Sequence, residues 1–226
     1  MPQAGIHGMV ALASRKWMPK REWFLLGVAL GSVFPDLDNF VVAYAVLAKL
    51  PNPEGYHRTF THSLFTVLTV IFVFYIVSLA AKNEKWKNFG NGLGAGILMH
   101  IALDLALWFS GVNLLWPLSF ELNFWRWFVT PAWLKILLET GEFLAFGLYF
   151  LLLGSLALRS STDLHSRRSL RMWAFLQFAL FILFTWLFFT LGSKGLPYQV
   201  YGGLYLLSLV AVVVITLRMK QTIETT

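Results

Sequence analysis

Long apolar stretches limit the possible folds of this chain more than any other feature, because a water-soluble domain cannot bury several of them at once. Four stretches reach the roughly 20 residues that a membrane-spanning helix needs; they are Phe89–Val112, Leu134–Leu158, Met172–Leu191 and Tyr198–Leu217. A fifth, Leu64–Ala81, lies at the lower limit of length. Hydrophobic residues make up 58% of the chain and charged residues only 13%. The sequence therefore predicts an all-α, polytopic membrane bundle of about five or six transmembrane helices.

The first apolar region is interrupted. Trp23–Phe34 is too short to cross a membrane, breaks at Pro35-Asp36-Leu37-Asp38 and resumes at Phe40–Leu50. Non-helical backbone survives at membrane depth only where it lines a protein or water-filled cavity. We therefore interpret this region as a helix broken at a functional turn. The apolar piece Ala4–Ala13 predicts an additional short N-terminal helix.

Basic residues are distributed unevenly between alternate loops. When Trp23–Leu50 is counted as one crossing, 13 of the 18 Lys and Arg residues fall on one side and 5 on the other. Positive charge concentrates on the cytoplasmic side, so both termini are predicted to be cytoplasmic. If Trp23–Phe34 is instead a re-entrant segment, the predicted side of the membrane is reversed for every later loop. The net charge of +7 comes from short loops between apolar runs, so nucleic acid is not an expected partner.

A polar cluster stands out within this apolar sequence. Four of the five histidines and three of the four aspartates lie in the first 104 residues. Ionisable groups at membrane depth are costly and usually mark a site. Because the chain has no cysteine, disulfides and thiolate ligands are excluded, and any metal must be held by His and carboxylates.

His100 and Asp104 are the clearest pair. They are four residues apart on one predicted helix, so both side chains project from the same face. Imidazole and carboxylate are common ligands of zinc and other divalent ions. The alternative is a buried His–Asp hydrogen bond that involves no metal.

Asp36 and Asp38 flank the turn after Pro35. Two carboxylates this close repel each other unless a cation or a shared proton separates them. The pair therefore indicates a metal site. The alternative is a helix end at which Asp38 caps the helix that starts at Asn39.

His57 and His62 lie where the chain enters the Leu64 helix, which Thr61 or Ser63 could cap. Arg58, between them, could donate to a phosphate or carboxylate oxygen. The alternative is an ordinary basic interfacial loop.

Three other acidic or imidazole side chains carry weaker signals. A lone histidine near a terminus is usually incidental, so His7 is a candidate ligand only because the polar cluster follows it. Glu139 and Glu142 could add ligands or a general base, although Lys135 could simply pair with Glu139. We assign no role to His165.

These motifs resemble a known family. The segments that carry the resemblance are Gly31-Ser32-Val33-Phe34-Pro35-Asp36-Leu37-Asp38, His57-Arg58-Thr59-Phe60-Thr61-His62-Ser63-Leu64, His100-x-x-x-Asp104 and Leu114-Leu115-Trp116-Pro117. They resemble the YdjM family of bacterial and archaeal inner-membrane proteins, which are described as metal-dependent hydrolases. The resemblance implies that the site residues are His7, Asp36, Asp38, His57, His62, His100 and Asp104. The order of these residues is also similar to that of zinc-dependent phospholipase C.

The resemblance covers residues 1–120, which we interpret as the metal-site region, and residues 121–226 as further transmembrane helices of the same bundle. The expected function is metal-dependent hydrolysis of a phosphoester or lipid-like substrate in a prokaryotic inner membrane.

Zinc is the expected ion, with His7, Asp36, His57, His100 and Asp104 as its ligands. Asp38 or His62 would orient a ligand or act as general base, and Arg58 would hold the substrate anion. Membrane lipids are the expected partners. An ion or proton transporter and a non-catalytic, metal-stabilised membrane protein are the alternatives.

Overall fold

The computed structural model describes residues 4–109 and 111–225. Within these ranges the chain forms nine α-helices and no strand; they are α1 (Ala4–Ser14), α2 (Phe24–Gly31), α3 (Asn39–Leu47), α4 (Leu64–Ala81), α5 (Glu84–Leu107), α6 (Ala132–Ser160), α7 (Arg167–Leu191), α8 (Gly195–Arg218) and α9 (Lys220–Thr225). The predicted all-α class and the short N-terminal helix are confirmed.

Five of these helices are long and apolar enough to cross a membrane, and α2 with α3 forms a sixth crossing if the pair counts as one span. That pair is bent by 46°. The bend lies at a 3-10 turn, Phe34–Asp38, with Pro35 near its start. The break predicted at Pro35–Asp38 is therefore confirmed.

The helix limits differ from the apolar stretches where capping residues set them. α4 has the predicted bounds, and the Ser63 side chain caps it by accepting a hydrogen bond from the Thr66 amide. α5 begins five residues earlier than the apolar stretch, because Asn83 caps it ahead of a polar first turn. It also ends five residues earlier than predicted, at Leu107.

The contacts divide the chain into two compact units. One comprises Val10–Val129 and is called the site unit below, and the second unit comprises Met1–Met9 with Thr130–Thr226. In the second unit, α6 packs along α7. Hydrogen bonds between buried polar side chains link its helices, including the one that Gln177 Nε2 donates to Ser208 Oγ at 3.0 Å. The boundary proposed after residue 120 stays a prediction.

In the site unit, α5 packs closely against α2 through glycines on both helices. The spacing is four residues on each, with Gly27 and Gly31 on α2 and Gly92 and Gly96 on α5. A Cβ atom added at any of the four would overlap backbone atoms of the facing helix. Small residues with this spacing let membrane helices approach to backbone contact. This contact sets the position of α2 along the axis of α5. It therefore also positions the residues that follow each glycine pair.

Candidate metal centre

Three segments of the site unit bring the predicted His and Asp residues together. The 3-10 turn after α2 carries Asp36 and Asp38, the loop before α4 carries His57 and His62, and α5 carries His100 and Asp104. Five of these six side chains are buried. The least buried, His57, has 13% of its side chain exposed.

His100 is held by the backbone of α2. Its Nδ1 atom lies 2.8 Å from the carbonyl oxygen of Ser32, the residue after Gly31. Because a carbonyl oxygen can only accept, Nδ1 carries the proton and donates it. The other ring nitrogen, Nε2, therefore presents a lone pair to the interior of the site.

His57 is held in the same way by Asp38. Its Nδ1 atom donates to Asp38 Oδ1 at 2.7 Å, and its buried Nε2 atom has no hydrogen-bond partner among the described residues. Burial lowers the pKa of His57 to about 4, although the Asp38 carboxylate acts to raise it. The ring is thus neutral near pH 7, which is the form that binds a metal.

His62 completes the set. The Thr61 hydroxyl donates to Asp38 Oδ2 at 2.9 Å, so the Thr61 oxygen accepts from His62 Nδ1 at 3.0 Å. His62 Nε2 faces His100 Nε2 across 3.1 Å. Each of the three imidazoles therefore has Nδ1 engaged by a protein oxygen, with Nε2 as the available ligand atom.

The separations fit a shared cation. Two histidine nitrogens on one tetrahedral zinc ion lie about 3.3 Å apart, close to the 3.1 Å between the Nε2 atoms of His62 and His100. Ligand atoms within 4.8 Å of one another form two groups in the site unit; they are Asp36, His57 and His62, and His62, His100 and Asp104. These buried groups are positioned to hold a metal ion.

The alternatives without a metal explain the contacts less well. His100 Nε2 lies 3.8 Å from Asp104 Oδ2, which is too far for a hydrogen bond between them. Asp38 makes no side-chain cap on α3. Instead its carboxylate accepts from His57, from the Arg58 amide at 3.1 Å and from Thr61.

Charge also favours a divalent cation. Arg58 is buried, and its Nε atom lies 3.1 Å from Asp104 Oδ2. With neutral imidazoles and ionised carboxyls, the three aspartates of the cluster and this one guanidinium leave two negative charges. Burying uncompensated charge is expensive, and one divalent ion would neutralise it.

Comparison with known proteins agrees with the motifs. The family described as YdjM inner membrane protein matches residues 4–193. The chain belongs to the YdjM family. The match extends past residue 120, so the YdjM pattern includes α6 and α7 as well as the site residues. Membership and the apolar spans together make it an integral inner-membrane protein.

A curated relative of this YdjM protein is the uncharacterized protein YvsG of Bacillus subtilis (strain 168). It is 30% identical over 129 residues, which cover 55% of this chain and 76% of the relative. No solved structure matches the chain.

Some predicted residues fall outside the site unit. His7 is buried in the part of α1 that belongs to the second unit, and its role as a ligand stays a prediction. Glu139 and Glu142 lie on α6, where Glu142 Oε1 accepts from the Gly5 amide at 3.3 Å. Lys135 Nζ lies 4.0 Å from Glu139 Oε1, consistent with the pairing considered above.

The sequence does not predict two contacts that shape the site, and it suggests Thr61 only as a possible helix cap. The Ser32 carbonyl orients His100, and Thr61 links Asp38 to His62. The glycine spacing on α2 and α5 was a visible signal for the first. Every residue has a backbone carbonyl, so the sequence does not show which one will orient a side chain.

Proposed function

We propose that this YdjM protein is a membrane-embedded, metal-dependent hydrolase of phosphoester or lipid-like substrates. The observation that carries the proposal is the proximity of ring nitrogens of His57, His62 and His100 to carboxylates of the same buried cluster. Asp36, His57, His100 and Asp104 would hold the ion, with His7 as a further predicted ligand. A divalent ion, with zinc as the first candidate, would act as a Lewis acid and lower the pKa of bound water toward about 7.

His62 would share the ion with His100 through its Nε2 atom. Asp38 would orient this ligand, because Thr61 links the Asp38 carboxylate to His62 Nδ1 and the Asp38 Oδ2 atom lies 3.4 Å from that nitrogen. The same carboxylate fixes His57, so Asp38 acts as a positioning residue for two rings. Arg58 contacts Asp104 and would bind the substrate anion, as the sequence predicts.

The positions of His62 and His100 along α4 and α5 support hydrolysis over transport. His62 lies two residues before α4, and His100 is seven residues, about 10 Å, from the end of α5. Transporter sites formed by broken helices typically lie near the bilayer midplane. A site near helix ends instead suits substrates approached from the membrane surface.

The surroundings of the His57–His62 loop support an amphipathic substrate. Phe60 in this loop is 49% exposed and packs edge-to-face on Trp116, with ring centroids 5.3 Å apart. The Leu64 amide also bonds the Leu114 carbonyl at 2.9 Å, which places the Leu-Leu-Trp-Pro segment against the same loop. Exposed aromatic side chains at helix ends are typical of the membrane–water interface.

Metal analysis combined with activity tests the proposal. Detergent-purified wild type should contain a stoichiometric divalent ion and cleave at least one member of a phospholipid and phosphoester panel. Asp36→Ala and His100→Ala should lose both ion and cleavage, and His165→Ala, an exposed histidine outside the cluster, should keep both.

Equal metal content in all four proteins would overturn the metal site. Metal that stabilises the fold without any cleavage across the panel would support the non-catalytic alternative and overturn hydrolysis.

A further inference from the structure

The second unit contains a basic cleft that plays no part in the metal centre. The cleft has a volume of about 420 Å³ and lies where α7 begins. Its polar lining is cationic or imidazole throughout and consists of His165, Arg167, Arg168 and Arg171. The volume is within the range of about 300–1,000 Å³ that is typical of small-ligand sites.

The arginines of the cleft have no anionic partner in the part of the chain that the structure describes. Among the described residues, Arg167, Arg168 and Arg171 make neither an ion pair nor a side-chain hydrogen bond. The nearby Asp163 carboxylate is already used, because its Oδ2 atom accepts from the Thr222 amide and hydroxyl. Three clustered guanidinium groups without a counter-charge attract an anion.

An apolar groove adjoins the cleft. It has a volume of about 180 Å³, lies between α6 and α7, and shares Arg167 and Arg171 with the cleft. Its remaining lining is mostly apolar and includes Phe150, Leu158 and Leu170. Gly154 leaves the groove open, since a Cβ added there would meet only Leu170 Cδ1, at 3.8 Å. The two shared arginines therefore stand at the boundary between a cationic and an apolar compartment.

We propose that the cleft and groove together bind one anionic phospholipid. The phosphate would bind to Arg167 and Arg171, with the rest of the headgroup in the cleft and the start of an acyl chain in the groove. The free anion alone would not use the groove, whereas a lipid matches both compartments. Basic pockets between transmembrane helices are known to bind anionic headgroups, and α7 belongs to a candidate span.

Native mass spectrometry of the detergent-purified full chain tests this site. Added phosphatidylglycerol should bind as one retained copy, and phosphatidylcholine should not. The double variant Arg167→Gln/Arg171→Gln should bind phosphatidylglycerol about 30-fold more weakly, given a several-fold contribution from each basic residue near an anionic headgroup. Arg218→Gln, which removes an exposed arginine at the end of α8, should change nothing.

A second pair of variants separates a lipid from a free phosphate. Gly154→Leu fills the groove and should weaken the binding of phosphatidylglycerol without affecting the binding of inorganic phosphate. Gly154→Ala should bind lipid like wild type. Thermal melting of each variant checks that it is folded.

Equal binding of phosphatidylcholine, an equal loss in Arg218→Gln, or a Gly154→Leu variant that binds lipid normally would each overturn the proposal. None of these results depends on the metal centre.

Discussion

His62 and His100 face each other through their Nε2 atoms at 3.1 Å, and the Nδ1 atom of each ring is engaged by a protein oxygen. Two neutral rings held in this way bring lone pairs together, which is unfavourable unless a cation or a proton lies between them. The surrounding carboxylates make the cation the better match. The arrangement of the hydrogen bonds around the rings therefore indicates a metal as strongly as the ligand types do.

Metal removal should lower stability in a way that depends on His100. An ion that binds only the folded protein stabilises it by about 2.7 kcal/mol at 100 times its Kd. Chelation should therefore lower the melting temperature of detergent-purified wild type, and added zinc should restore it. His100→Ala should melt at the same temperature with and without chelator. A chelator effect of equal size in both proteins would contradict the assignment of His100 as a ligand.

Asp38 should control metal affinity without being a ligand itself. Asp38→Asn weakens the acceptor that fixes His57 Nδ1 and Thr61, and loss of such an outer partner typically costs 10–100-fold in affinity. Thr61→Val should shift affinity in the same direction. Competition with a fluorescent zinc chelator measures both. Thr69→Val, which removes an exposed hydroxyl on α4, is the matched control and should bind zinc like wild type.

The sequence predicts most of the candidate site because its proposed ligands are rare side chains in an apolar chain. His57, His62, His100, Asp36 and Asp104 stand out by chemistry alone, and the structure places them together in the site unit. The helical class follows equally directly, since lipid leaves few options for the backbone of apolar stretches.

What the sequence analysis missed depends on backbone geometry. The Ser32 carbonyl is a ligand orienter only because α2 and α5 approach to backbone contact. The helix α5 starts before its apolar stretch because a capping Asn83 extends it through residues 84–88, which are mostly polar and fall outside any apolar window. A helix cap depends on local hydrogen bonds, and the position of a carbonyl depends on helix packing. Hydropathy reports neither of them.

Helix N-capping at the entry to α4 should contribute stability separately from metal binding. The Ser63 side chain accepts from the Thr66 amide at 3.2 Å. Ser63→Ala should cost about 1 kcal/mol, because the amide loses its partner at the buried start of the helix. Ser63→Thr, which retains a capping hydroxyl without adding a charge, should recover most of that loss in thermal unfolding. Equal melting of Ser63→Ala and wild type would show that the cap contributes nothing.

The glycine contact between α2 and α5 should be required for both packing and the metal site. Gly96→Ala would drive a Cβ into the α2 backbone near Val28 and Ser32. We expect a destabilisation of about 1–3 kcal/mol and reduced metal content, because the shift moves the Ser32 carbonyl away from His100. Thermal unfolding and metal analysis of the purified variant measure the two effects.

Gly141→Ala on α6 is the control, since a Cβ there meets nothing within 4 Å. It should be neutral or slightly stabilising, as expected for alanine within a helix. Normal metal content in a destabilised Gly96→Ala protein would separate the packing from the site and contradict the link between them.

The membrane topology can be tested directly because the chain has no cysteine. In the six-crossing arrangement, Gln221→Cys near the C-terminus lies in the cytoplasm, and Leu118→Cys in the segment between α5 and α6 lies on the opposite side. Both positions are exposed. In intact cells, an impermeant maleimide should label Leu118→Cys and should reach Gln221→Cys only after permeabilisation. The reverse pattern would contradict this six-crossing orientation, would agree with a re-entrant α2–α3 hairpin, and would place the metal centre at the cytoplasmic face.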